Sequence, residues 1–238
     1  MPDTVLICAA TIREMDACIS RKAGRFETLP EHGDLAWTRT WFTGSRTYFL
    51  AITGVGMPLT VARLLPLAAG CGPSLIVNVG IAGAYIGSGL VIGDLVAGES
   101  ECFGDMGMEL PGPEAFQPLA GMSWADEVYR QPLPLTLTPW KPVPGSGLST
   151  PHIGKGCTVN ACTGREETGA LRRKLFSVDF ESMEGAGVAL TARMLGIRAC
   201  EMRAISNQAA TRDMRPENVD RALQNLGLYM DTWLGAPI

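Results

Sequence analysis

The sequence predicts an α/β fold: a single domain over residues 1–238, built on a central mixed, mostly parallel sheet flanked by helices. Three observations predict it. Short apolar runs of strand length alternate with longer stretches of helical periodicity, the order that makes a sheet with helices on both faces. Of 238 residues, 46% are hydrophobic and 18% charged, a balance that buries one large core and argues against disorder. The chemistry-bearing clusters fall where strand-like runs end, and in such sheets ligands sit outside the carboxyl ends of the strands.

Thr4–Ala9 is an apolar run of strand length, and a helical segment opens near Ile12. Asp34–Thr43 and Arg46–Thr53 alternate and are rich in aromatic residues, and Gly44-Ser45 between them predicts a hairpin. Gly54-Val55-Gly56 leads into a helix over Met57–Ala69, with Pro58 suited to a first helical turn. Ser74–Val79 reads as a buried strand running out into a glycine-rich turn, Asn78–Ala84, and Asp94–Glu101 continues the strand pattern. Residues 103–152 are rich in Pro and Gly with little periodicity, which predicts a long surface excursion rather than an interdomain linker. Order resumes with Gly156–Ala161, a helix over Arg165–Leu175, a strand over Ser177–Phe180 and a helix over Glu184–Leu195. A strand over Ala199–Ile205 and a helix over Pro216–Trp233 close the chain.

Net charge is −4 and no Lys/Arg cluster stands out, so a nucleic-acid partner lacks its electrostatic footprint. A small molecule is the partner to expect. Seven scattered cysteines without a C-x-x-C pair read as reduced, mostly buried thiols, hence a cytoplasmic protein. His32 and His152 are the two histidines, too few for a His-based zinc site, and no metal is expected. The N-terminus lacks the basic segment of a signal peptide. From Leu64 to Gly93 no charged residue occurs, a run long enough to span a bilayer. Pro66, Pro73, Asn78 and seven glycines cut it into short pieces, and buried parallel strands read the same way, so no membrane partner is expected.

Each cluster carries a chemical reading beside a plainer one. Glu181-Ser182-Met183-Glu184-Gly185-Ala186 follows a strand; a carboxylate there can accept both hydrogen bonds of a ribose diol, and Met183 supplies a soft apolar contact. Glu184 would otherwise simply start the next helix, where a carboxylate suits the macrodipole. Asn207, after Ser206 at a strand end, would ordinarily be a turn residue. Its amide also sets an acceptor beside a donor, the complement of a 6-oxopurine protonated at N7, whereas a 6-aminopurine would be matched by a protonated Asp. Glu14 suits a helix start and equally suits a base that orients water at an anomeric carbon. Asn78–Ala84 matches neither a Walker loop nor a dinucleotide fingerprint.

Taken in order, Glu14, Gly54-Val55-Gly56, Asn78–Ala84, the E-S-M-E-G-A segment and R-A-I-S-N over Arg203–Asn207 resemble the purine nucleoside phosphorylase/nucleosidase superfamily. Within it the resemblance is to the futalosine hydrolases, with the methylthioadenosine/S-adenosylhomocysteine nucleosidases as siblings. The resemblance implies a nucleoside-phosphorylase-like fold and hydrolysis of an N-glycosidic bond, releasing hypoxanthine from futalosine in menaquinone biosynthesis, without metal or organic cofactor. It implies that Glu14 serves the catalytic water and Glu184 the ribose hydroxyls. Met183 would lie against the sugar, Ile81, Ala82 and Gly83 would line the floor, and Ser206-Asn207 would stand where adenine-specific relatives have Ser-Asp. Asn207 would stabilise the departing hypoxanthine. A homo-oligomer built from dimers is implied as well.

Two departures stand out. Thr163-Gly164-Arg165-Glu166-Glu167 offers no clear equivalent of the aromatic residue that stacks on the base in adenine-specific relatives. The phosphorylases' phosphate loop is replaced by Ala9-Ala10-Thr11-Ile12-Arg13-Glu14, where Glu14 would repel an anion that Arg13 could otherwise touch, so water is the expected nucleophile. Phosphorolysis of inosine or guanosine, adenine-specific hydrolysis and a catalytically silent nucleoside sensor are the competing readings. Arg212 or Arg215, in a charged loop before the last helix, would hold the carboxylate of the futalosine tail, or else belong to a solvated loop.

Overall fold

The computed structural model describes residues 3–19, 26–28, 38–43, 46–112, 116–136, 150–211 and 213–235. β1 (Asp3–Ala9) feeds α1 (Ile12–Ile19), and β2 (Phe26–Thr28), β3 (Thr38–Thr43) and β4 (Arg46–Ile52) follow. α2 (Met57–Cys71) crosses to β5 (Leu75–Ala84), then β6 (Leu95–Phe103). Beyond the short β7 (Gly107–Glu109), β8 (Phe116–Pro118) and β9 (Leu133–Pro134) come β10 (His152–Thr158), α3 (Glu166–Phe176) and β11 (Phe180–Ser182). α4 (Gly185–Leu195), β12 (Arg198–Gln208) and α5 (Pro216–Gly235) complete the chain. Gly44-Ser45 of the expected hairpin lies outside the described residues, but β3 and β4 pair antiparallel as that hairpin requires.

The α/β class is as the sequence predicts, with one feature of the sheet that the sequence did not indicate. Parallel pairings join β1 to β4 and β5, β12 to β5, and β10 to β6 and β11. Antiparallel pairings join β12 to β6, β11 to β5, β6 to β9 and the β2–β3–β4 meander. The sheet is therefore mixed, with the longer ladders parallel, as the sequence predicts. It is not simply open, however: β11 pairs with β5 as well as β10, which closes β5, β12, β6, β10 and β11 into a ring. Closure follows from the length of β5, whose second half, Gly80–Ala84, runs on past the layer where β1 stops. The glycine-rich segment expected as a turn is strand, and its small side chains let β11 and β12 approach.

β1 shows why the apolar runs are continuous. Val5 and Ile7 face α1 and α5, packing with Met15, Cys18, Leu226, Tyr229 and Met230. Leu6 and Cys8 face α2 and α4, with Leu64, Ala68, Ala186 and Val188. A strand covered on both faces has no polar side to alternate. The excursion over 103–152 is partly tied down: β9 adds to the edge of β6, and 3-10 turns at Leu119–Gly121 and Glu127–Tyr129 precede it. Among the described residues, no helix is long and apolar enough to cross a membrane.

Candidate active site

One cavity of about 510 Å³ gathers the residues singled out in the sequence. Glu14 reaches it from α1, Ile81, Ala82 and Gly83 from β5, Met183 and Glu184 from the turn between β11 and α4, and Ser206 and Asn207 from β12.

Thr11 and Glu14 form a reciprocal helix cap. The Glu14 N–H donates to Thr11 Oγ1 at 3.2 Å, and the Thr11 N–H and hydroxyl donate to Glu14 Oε2 at 3.0 and 2.7 Å. The Ile81 N–H donates to Oε1 at 3.0 Å, which ties α1 to β5. Glu14 is thus a helix-start residue, as its position alone suggests, and also a wall of the cavity whose Oε1 keeps a lone pair. A Cβ at Gly80 would lie 2.6 Å from that Oε1 and 2.5 Å from Arg203 Nη1, so the glycine makes room for both groups.

Glu184 stands at the N-terminus of α4 but makes no side-chain cap bond. Its Oε1 accepts the Gly56 N–H at 3.0 Å, and its Oε2 lies 3.6 Å from Arg203 Nη1. Gly56 can present that N–H because it sits at φ 95°, where a side chain would be strained. Burial pushes the Glu184 carboxyl up, while Arg203 and the Gly56 N–H pull it back toward the ionised form.

Ser206 and Asn207 lie within β12 rather than in a turn after it. Register against β5 slips between Ile205↔Ala82 and Asn207↔Gly83, a bulge that re-aims side chains at the cavity. The Ser206 hydroxyl donates to Asn207 Oδ1 at 3.0 Å, and Asn207 Nδ2 donates to the Gln208 carbonyl at 3.0 Å. These bonds fix the amide while leaving one N–H and one acceptor lone pair for a ligand. Gly83 keeps the approach open: a Cβ there would meet Asn207 Nδ2 at 3.1 Å.

Arg203 and Glu181 had no role of their own in the sequence reading, and Arg13 figured there only as a phosphate contact. Arg203, fully buried, joins Glu184 to Glu201: its Nε donates to Glu201 Oε1 at 2.8 Å, and its Nη2 has no protein acceptor among the described residues. An arginine inside the apolar run Ala199–Ile205 was the available signal. Glu181 accepts the N–H of Thr163 at 2.9 Å and the Thr163 hydroxyl, with Arg172 3.5 Å away, and so orders the loop at the Asn207 end. Arg13 lines the opposite wall near Val55, Met214, Val219 and Leu223, paired with Asp220 at 2.6 Å. Arg215 is instead held by Asp213 at 2.7 Å and is not part of the cavity wall, and Arg212 lies outside the described residues. Among the described residues, no aromatic side chain lines the cavity.

Residues 4–232 match the family model described as the phosphorylase superfamily. A futalosine hydrolase from Acidothermus cellulolyticus is 34% identical over 64% of this chain, and the chain spans 61% of that relative's length. One from Thermus thermophilus is 30% identical over 81% of this chain and 82% of its own. The fold is similar to native futalosine hydrolase of Helicobacter pylori, with TM-score 0.76 and 16% identity over 99% of this chain and 98% of that one. It is similar also to the S-adenosylhomocysteine nucleosidase of Streptococcus pyogenes, with TM-score 0.75 and 22% identity over 100% and 99%.

Proposed function

Because the chain belongs to the phosphorylase superfamily, we propose that it hydrolyses the N-glycosidic bond of futalosine, releasing hypoxanthine and the dehypoxanthinyl product for menaquinone biosynthesis. One observation carries the choice of base: a fixed amide, Asn207, stands in the cavity wall with a donor and an acceptor to spare. That pair reads a 6-oxopurine at O6 and protonated N7.

In this reading Glu184 holds the 2′ and 3′ hydroxyls and sets negative charge near C1′ as the C1′–N9 bond breaks and the sugar becomes cationic. Met183 packs against the sugar over a floor of Ile81, Ala82 and Gly83. Glu14 Oε1 takes a proton from the attacking water, whose oxygen bonds to C1′, and the buried Arg203 guanidinium behind the cavity wall lies 3.6 Å from Glu184 and steadies that carboxylate. Hypoxanthine leaves with the bonding electrons and takes a proton from solvent, to which Glu14 later returns the proton of the water, while Asn207 steadies the edge of the base. No metal or cofactor enters the chemistry. We place the enzyme in the cytoplasm, as one domain over residues 1–238 and as a homo-oligomer built from dimers.

Arg13 in the cavity wall favours one second reading, phosphorolysis. Purified protein given futalosine, inosine and methylthioadenosine, with and without phosphate, separates the two by release of free base. Futalosine cleavage in phosphate-free buffer is the expected result. Strict phosphate dependence, or preference for methylthioadenosine, would overturn the reading.

A further inference from the structure

One layer behind the cavity, two buried glutamates face each other. Glu201, from β12, accepts Asn78 Nδ2 and Arg203 Nε at 2.8 Å each, both on Oε1. Glu101, from β6, accepts the Thr158 hydroxyl on Oε2 at 2.8 Å. The Thr158 hydroxyl is committed to that bond, since its oxygen already receives the Ala186 N–H at 2.6 Å. Glu101 Oε1 and Glu201 Oε2 remain, both buried and without an N–H or O–H donor, although the two carboxyl groups are within hydrogen-bonding reach. Two ionised carboxylates cannot satisfy each other there; one proton between them satisfies both.

The donors decide where the proton resides. Glu201 holds the charge-assisted bond to Arg203 and is the anion, whereas Glu101 receives one neutral hydroxyl. We propose that Glu101 is a carboxylic acid that donates its proton to Glu201, and that this acid–carboxylate pair is the positioning device holding Arg203 toward Glu184 and Glu14. The niche is cut for it: a side chain at Gly156 or Gly185 would collide with Glu101 Oε1, and one at Gly98 with Glu201 Oε2. A register slip of β6 against β10 at Gly154/Lys155, just before Glu101, suits this inward aim. The charged and titratable groups around the pair are Arg203 and Cys200 of β12, Cys102 of β6, Cys157 of β10, Cys8 of β1, Glu184 before α4 and Glu14 of α1. Arg203 is the cation in this set, so a fourth ionised carboxylate would stand uncompensated. Burial and the Glu201 charge both push the Glu101 carboxyl up, in the same direction.

The role assigned to Arg203 rests on the hydrolase reading, but the proton does not, and the test keeps them apart. Infrared difference spectra at neutral pH between wild type and Glu101→Gln should show a protonated-carboxyl C=O band that the variant lacks. Its absence from the wild type would overturn the proposal whatever the substrate. On turnover, Glu101→Leu strips Glu201 of its donor and should lower kcat by about 10- to 100-fold, the cost of displacing a working group by a fraction of an ångström or more. Glu101→Gln supplies an N–H to Glu201 and an acceptor to Thr158, and should restore kcat to within about threefold of wild type, since one neutral donor replaces another. Glu201→Gln removes the anion and should resemble Glu101→Leu; should it fail to fold, the Leu/Gln comparison at Glu101 still decides. Equal loss in Glu101→Gln and Glu101→Leu would mean that the pair acts as an ionised cluster or as packing alone. If futalosine is not cleaved but the band is present, the hydrolase reading fails and the proton assignment stands.

Discussion

At the scale of single residues, Asn207 and Glu184 make the sharpest tests. Asn207→Asp replaces the N–H that would serve O6 with an oxygen, and a mispaired buried polar contact costs about 1–3 kcal/mol. Futalosine cleavage should fall, and cleavage of its 6-amino analogue should rise relative to it by about 10- to 100-fold. The ratio of the two kcat/KM values cancels any general loss of stability; an unchanged ratio would show that Asn207 does not read the purine 6-position. Glu184 is pushed up by burial, so its proton returns at a higher pH than for an exposed glutamate. Because the proposed mechanism needs the anion, kcat/KM should decline as pH falls through that raised value. Glu184→Gln should abolish this acid limb and lower kcat more than it raises KM. A variant that raises KM alone and keeps the limb would make Glu184 a binding group without an electrostatic role.

At the scale of elements, the start of α1 combines two jobs that separate variants can divide. Thr11→Val removes the hydroxyl from the reciprocal cap but leaves the Glu14 carboxylate and its bonds to the Thr11 and Ile81 N–H groups. It should cost about 1 kcal/mol, a fall of roughly 2–4 °C in Tm for a domain of this size, with most turnover kept. Glu14→Gln turns an NH₂ toward one of those same N–H donors, so it destabilises too, but it should cost about 10²–10⁴-fold in turnover through loss of the base. If activity merely tracks Tm across both variants, Glu14 is a cap and nothing more. The start of α1 was legible in the sequence because a carboxylate such as Glu14 just after a strand is a local helix-start signal, and so were the helices and the parallel strands, whose runs are set by burial on both faces. What hid was non-local. Closure of β11 onto β5 depends on how far β5 continues, and the bulge that aims Ser206 and Asn207 depends on register between β5 and β12, which periodicity along one strand does not encode. Arg203 and Glu101 gained their meaning only when β6 and β12 brought them to the same layer.

At the scale of the whole molecule, the buried thiols make stability depend on pH on the alkaline side. Burial raises Cys8 to about 12 and also raises Cys18 and Cys200, all three in the core beneath the helices. An unfolded chain loses those protons from about pH 8.5 upward, whereas the folded chain keeps them. Between those limits the folded state binds more protons, so the free energy of unfolding must decline as pH rises, by about 1.4 kcal/mol per unit for each thiol. These three thiols alone contribute a slope near 4 kcal/mol per pH unit, and Cys102 and Cys71, raised as well, act in the same direction, against a total stability of about 5–15 kcal/mol for an ordinary domain. Urea midpoints taken from pH 7 to pH 10.5 should therefore be flat at first and then drop steeply above about pH 8.5. Cys200→Ala removes one titrating group, so its curve should begin lower, from the small cavity left behind, and descend less steeply by about 1.4 kcal/mol per pH unit. A midpoint that holds to pH 10.5, or a Cys200→Ala slope identical to wild type, would mean that other groups govern the alkaline limit and that these thiols ionise within the fold.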